Sequence, residues 1–507
     1  MAKLTSYNIA IALVVTLGGF SFGFGSSSFI TSIGQPGFYL YFNLDPASSH
    51  TASIITAINA LYCFGAAVGS IGQSWFADKW GRKKALFLAG VIALVGNALV
   101  AGSVAIGMMI ACRIIQGCGL GALLALVPIY LAEVAPPRSR GLLTGLTVLS
   151  FGFGFVACAW IAVGCYHAKN FTLSWRLPLA LSCVPQLFLL PGLLFVPESP
   201  RFLIWRNELD EAWKILKRLH HDPECSTDED ARTEFTQIVR QVDVENEENA
   251  TFIQMFKKPS WRRRSLLVLF LLFAVQSTGV NGVTNYLPVI FASLGLDTGM
   301  SLMLYAVHTT CGTIFVALSL LVVDKFGRRT LFIIGFASLA CIGLGEALLQ
   351  WKYVGTDDKA GNAACVLFIF LFIAFYQCVD APSVIWAAEI FPTSLRAKGV
   401  SLAVFAFFAG TITFGVPAAV AFQSIGWRMY LIYAGLSVVS LVLTIFYIPE
   451  TKLIPMEEIG ALFGDHVVTR MTANGQALVE EEKAGETHLE MAKPAPNEGL
   501  NRVVEWA

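Results

Sequence analysis

Gln276, Asn281, Asn285 and Tyr286 place three amides and a phenol close together in an otherwise apolar run. Amide side chains both donate and accept hydrogen bonds, so such a group suits a ligand that carries hydroxyls. On a continuous helix, positions 277, 281 and 285 would share one face, with 278 beside them. The other use of each amide is a hydrogen bond to a neighbouring helix. Asp380 is an acid deep in a second apolar run. At membrane depth an acid can carry a proton, bind a ligand hydroxyl, or hold a neighbouring helix. A second acid, Glu346, is expected near the end of its segment, where it can snorkel to the interface. No nucleophile–base pair stands out and the 11 cysteines show no metal spacing, so neither an enzyme nor a metal or cofactor is expected.

A different chemistry is written in charges that occur twice. Asp78-Lys-Trp-Gly-Arg-Lys-Lys84 recurs as Asp324-Lys-Phe-Gly-Arg-Arg329. Glu133 and Arg140 lie seven residues apart, as do Glu389 and Arg396. Pro197-Glu-Ser199 follows Trp175 by 22 residues, and Pro449-Glu-Thr451 follows Trp427 by the same 22. Ordered marks with equal spacings identify a duplication. Acids at helix ends beside basic turns can form charge-assisted hydrogen bonds strong enough to close one side and weak enough to break. We assign Asp78, Arg82, Arg113, Glu133, Arg140 and Glu198 to one such gate, and Asp324, Arg328, Glu389, Arg396 and Glu450 to its mirror.

These residues must be positioned by membrane helices. The chain of 507 residues is 55% hydrophobic and only 14% charged, too little charge to solvate a surface of its own. Twelve apolar segments have spanning length, at 8–33, 52–76, 85–106, 108–133, 141–164, 174–196, 265–293, 301–323, 330–351, 363–390, 397–421 and 427–448. One set of loops carries eleven basic residues against five in the other, which makes the first set, and both termini, cytoplasmic. The units are a six-helix bundle at 1–198, a linker of amphipathic helices at 199–263, a second bundle at 264–452, and a tail at 453–507 whose end reads as disordered. A formal net charge of zero argues against a nucleic-acid partner.

With its two Asp-Lys-x-Gly-Arg turns, Glu133-Val-Ala-Pro-Pro-Arg-Ser-Arg-Gly141, Pro197-Glu-Ser-Pro-Arg201, Gln276-Ser-Thr-Gly-Val-Asn281, Glu389-Ile-Phe-Pro-Thr-Ser-Leu-Arg396 and Pro449-Glu-Thr-Lys452, the chain resembles the sugar porter family of the major facilitator superfamily, fungal members in particular. The resemblance covers nearly all of residues 8–455. It implies an all-α fold of 12 transmembrane helices in two pseudo-symmetric six-helix bundles, which rock around a central site. Gln276 and Asn281 match the family's sugar-contacting residues, and Trp386 stands near the place of a helix 10 Trp. Other positions depart from the pattern. Val148, Val275, Gly312, Phe407 and Phe408 stand where polar or Trp side chains are usual, and Phe22-Gly-Phe-Gly25 lacks the helix 1 Asp of proton-driven members.

The sequence therefore reads as a plasma-membrane transporter of a sugar or polyol-like solute, by facilitated diffusion or coupled to protons. Its partners are that solute and the bilayer, and it is expected to act as a monomer. The alternatives are a transporter or exporter of a less polar metabolite on the same scaffold and, more remotely, a non-transporting nutrient sensor. Asn170-Phe-Thr172 and Asn249-Ala-Thr251 are both glycosylation acceptors, the first expected outside the cell and the second inside. Peptide mapping of protein from a eukaryotic host is expected to find glycan, if any, on Asn170; glycan on Asn249 would invert the topology.

Overall fold

The computed structural model describes residues 6–46, 48–135, 140–168, 170–219, 251–356, 358–452 and 459–464, with six positions between 231 and 239 and the short strands Leu478–Glu480 and Leu489–Met491. Among the described residues, twelve helices are long and apolar enough to cross a membrane. We number them α1 (Ser6–Ile33), α2 (Ser49–Trp80), α3 (Arg82–Ala101), α4 (Ile106–Val134), α5 (Arg140–Tyr166), α6 (Phe171–Leu181 and Val184–Phe195), α7 (Pro259–Ser277 and Val280–Thr284), α8 (Thr298–Phe326), α9 (Arg328–Tyr353), α10 (Lys359–Glu389), α11 (Thr393–Gly410) and α12 (Arg428–Tyr447). In hydrocarbon each backbone polar group must be satisfied within the protein, which is why helices carry the whole span.

The first half packs backbone on backbone. Gly65 and Gly69 of α2 face the carbonyls of Ile114 and Cys118 on α4, and Gly117 and Gly121 of α4 face those of Tyr62 and Ala66 on α2. Small residues at such crossings replace the hydrophobic drive that is missing between helices in lipid. In the described part of the linker, Pro200–Trp205 and Leu209–Leu219 bury Leu203, Ile204, Ala212 and Leu216 in a small cluster with Ile238. The linker docks on α1, where Asn8 Nδ2 donates to the Leu219 carbonyl at 3.0 Å. Beyond α12, Ile459 and Phe463 pack into the core of the second half, with the Arg264 guanidinium 4.8 Å from the Phe463 ring.

Several elements depart from the segments expected, the sixth by a break between Leu181 and Val184. The third ends at Ala101 rather than 106, closed by Gly102 and by Ser103 Oγ donating to the Leu99 carbonyl. The seventh is not continuous over 265–293, because α7 breaks at Thr278–Gly279. Gly279 has φ 87° and packs on the Tyr433 ring, so no side chain fits there. The break removes the regular face that would have joined positions 277, 281 and 285. α11 is also irregular, and widens into a π turn at Thr411–Gly415, where Val416 N donates to the Thr411 carbonyl at 3.0 Å.

The repeated turns reverse direction at Gly81 and Gly327, with φ 97° and 91°. At each, a Cβ would collide with a glutamate carboxylate, Glu198 in the first half and Glu450 in the second. Gly81→Ala and Gly327→Ala are each expected to cost about 1–3 kcal/mol of backbone strain plus the displaced carboxylate. Gly295→Ala, at φ 81° with open space around it, should show the strain alone. Thermal unfolding of purified protein checks the order: equal losses at all three would remove the carboxylate from the account.

Candidate functional site

At the end of the bundle that carries the basic turns, the two halves repeat each other bond for bond. The first N–H groups of a helix have no intrahelical partner and attract an anion. Glu198 accepts from Arg82 N and Lys83 N at 2.9 and 3.1 Å, and so closes the start of α3. Glu450 accepts from Arg328 N and Arg329 N at 3.0 and 3.1 Å and closes α9. Burial pushes the Glu198 carboxyl above its ordinary range, against the pull of the Ser199, Lys83 and Arg82 N–H groups and the Arg82 charge. The arginine side chains turn the other way. Arg82 Nε lies 3.1 Å from Glu133, and Arg328 Nη2 lies 2.9 Å from Glu389.

Across the halves, Lys398 of α11 donates to Asp78 of α2 at 2.6 Å, and Gln73 donates to Ser401 at 2.6 Å. Neither Lys398 nor Gln73 belongs to the repeat, so the pattern of paired marks does not single them out. Arg396 is buried. The side chains of Arg140 and Asp324 lie outside the described residues.

Arg113 does not join this gate. α4 runs from Ile106 at the far end to Val134 at the basic end, so the twenty residues from Arg113 to Glu133 span about 30 Å. Arg113 is buried instead between the rings of Phe29 and Tyr62, 4.4 and 4.5 Å away, and donates to Gln116 at 2.7 Å.

At mid-depth the amides converge as expected, through a geometry the break creates. Asn281 Nδ2 donates to Gln276 Oε1 at 2.6 Å and to Thr411 Oγ1 on α11 at 3.0 Å. Gly410 and Gly415 leave room on α11 for the two side chains. Gln276 is buried, with its amide turned toward the Tyr376 phenol of α10. Asp380 is partly exposed and accepts from the Tyr376 phenol at 3.0 Å, and that phenol in turn faces Gln276. The missed residue is Tyr376, legible one turn before Asp380 on the same helix.

Apolar rings meet where α1 and α5 pack against α11. Phe22 meets Phe151 and Phe408 edge-on, with centroids 5.5 and 6.2 Å away, while Val148 packs with Val316 and Ala381. Asn285 continues the broken helix, its N–H on the Asn281 carbonyl at 3.1 Å, and Tyr286 lies toward Asn59 and Thr56 of α2. Trp386 does not reach the site: its ring is fully buried in the core of the second half with Phe332, Phe336 and Phe391. Asn170 is exposed at the start of α6, its Oδ1 accepting from Thr172 N at 3.0 Å.

The far end is packed as well. Ser27 and Tyr305 hydrogen-bond at 3.0 Å and Trp160 donates to Thr310 at 3.0 Å, each joining one half to the other. The polar patch is therefore enclosed between two closures, one built on charge and one on rings and hydroxyls. Asp78 and Lys398 are partly exposed, so their pair is worth about 1 kcal/mol at most. Asp78→Asn and Lys398→Gln are expected to shift the protein toward opening at the basic end by up to about fivefold, with no further shift in the double variant. Spin-label distances across α2 and α11 measure this; additive shifts would show that the two residues act separately.

Known proteins match this arrangement along nearly the whole chain. A family model described as "Sugar (and other) transporter" matches residues 11–463. The "MFS-type transporter criB" of Aspergillus cristatus is 31% identical over 462 residues, covering 90% of this chain and 94% of that one. The "MFS glucose transporter mfs1" of Aspergillus flavus is 27% identical, covering 88% of each. Among solved structures, the proton:xylose symporter XylE bound to 6-bromo-6-deoxy-D-glucose aligns with a TM-score of 0.78 at 24% identity, over 91% of this chain and 100% of that one. The inward open form of XylE from E. coli aligns less well, at 0.69.

Proposed function

Since the chain belongs to the sugar (and other) transporter family and carries twelve membrane-spanning helices, we propose that it moves a sugar or polyol-like solute by alternating access, with the halves rocking around Gln276, Asn281 and Thr411. The observation that carries this reading is the hydrogen-bonded set of Gln276, Asn281 and Thr411 with the Tyr376 phenol beside it, a donor–acceptor group suited to adjacent hydroxyls. Asn285 and Tyr286 extend the polar face, and Asp380 enters through Tyr376. The charge clusters around Glu198 and Glu450 act as the gate, with Asp78–Lys398 as its bridge between halves. Residues 1–198 and 264–452 are the moving bodies, joined by 199–263 and followed by the tail 453–507. The excess of basic residues orients the gate toward the cytoplasm, with both termini there and Asn170 outside. The plasma membrane is the proposed site and a monomer the proposed working unit. Protons are a second cargo only if Asp380 is their carrier.

One observation favours a second reading. Phe22 and Phe151 pack with Phe408, one turn before Thr411 on α11, and Val148 and Gly312 add no polar group. A less polar metabolite with one hydroxylated edge would fill such a site better than a fully hydroxylated ring.

Uptake of labelled hexose, pentose and sugar alcohol into cells lacking their own carriers separates the readings. The first expects saturable uptake, weakened in Gln276→Ala and Asn281→Ala by about 1–3 kcal/mol of lost affinity each. It is overturned by uptake at background level from protein correctly placed in the membrane. Collapse of the proton gradient tests coupling in the same assay: Asp380→Asn should keep exchange and lose accumulation if Asp380 carries the proton.

A further inference from the structure

Glu346 does not snorkel to the membrane surface. It lies seven residues before the end of α9 and is only 2% exposed. One carboxyl oxygen accepts from Gln350 Nε2 at 2.6 Å, and the other has no partner. The groups facing it are few. Its own helix supplies Gln350, α10 supplies the Cys365 thiol, α12 supplies the Tyr430 phenol, and α7 supplies the apolar Val283. Among the described residues no cation faces it. A small apolar cavity beside it is lined by Val283, Ile342, Phe368, Ile369, Phe372 and Tyr430.

This acid shares that cavity with Val283, four residues past the break at Gly279 in α7. Gln350 Nε2 also donates to Tyr430 at 3.1 Å, one turn along α12 from Tyr433. Tyr433 carries the break: Gly279 and Gly282 pack on it, and its hydroxyl donates to the Phe414 carbonyl at 2.8 Å. A polar chain thus runs from Glu346 through Gln350 to the helix that holds Val280–Thr284 in place.

In the enclosed state the carboxyl is badly served in either form. Ionised, it is a buried charge with one neutral donor and no cation. Protonated, its hydroxyl has no acceptor. Water reaching the cavity would relieve both, and would relieve the ionised form far more. We propose that Glu346 is a proton-binding site that governs the broken part of α7: with the proton bound the segment stays packed on α12, and with the proton lost it loosens. The site is separate from Asp380 and needs no solute.

Hydrogen exchange of the full-length protein in lipid nanodiscs, corrected for the intrinsic rate, reads the segment 279–291 directly. In the wild type, protection is expected to fall by about tenfold or more between about pH 5 and about pH 9. Glu346→Gln should hold one level across that range, and Glu346→Asp should restore the dependence. Exchange in helices distant from α7, such as α4, should change little. A flat wild-type profile overturns the proposal without any variant, as does an equal pH dependence in Glu346→Gln. Because no solute is added, these outcomes are independent of whether a sugar is carried.

Discussion

The carboxylates of Glu198 and Glu450 hold the first peptide N–H groups of α3 and α9, and the rest of the basic end depends on that grip. A helix that starts at the edge of hydrocarbon leaves several donors open, and a half-buried glutamate answers them with charge as well as acceptor atoms. Each glutamate arrives on the stretch that follows the sixth helix of its half. The capping bond therefore ties the end of a six-helix unit back to its third helix. With the carboxylate spent on the backbone, the arginine side chain of the same turn is released to reach Glu133 or Glu389. The unit closes on itself before it meets the other half, which leaves the bridge between halves to weaker, partly hydrated contacts. That division suits a machine whose two bodies stay intact while the seam between them opens.

The centre solves a different problem, how to expose side-chain amides without exposing backbone. α7 breaks at a glycine whose neighbours close the gap, and α11 widens by one residue where the amides of α7 come to rest. Both irregularities lie inside protein, where the freed backbone groups can find partners. The result is a polar patch of two amides and a threonine on the second half.

Much of this was legible, for reasons that differ from residue to residue. The twelve spans follow from length and hydropathy, and the paired glutamates from a repeat whose spacing is identical in both halves. Gln276 and Asn281 could be paired from their motif, although the reason they meet, the αL glycine between them, is conformational and the regular-helix spacing misled. Arg113 was placed with the gate because charge type was read without depth; counting along α4 would have moved it. Trp386 shows the limit of a one-dimensional match, since a shift of two positions along α10 turns a ring from the interface into the core. Lys398 and Gln73 carried no signal, because a bridge between halves has no counterpart within either repeat.

The glycine seams between α2 and α4 have a mechanical consequence. Where two backbones touch along several turns, there is no side chain left to deform, and the pair behaves as a stiff plate. The second half is interrupted in both α7 and α11, at the segments that meet through Gln276, Asn281 and Thr411. A thinner bilayer or a change in lateral pressure would then be taken up by the second half, around the segment that bears the amides.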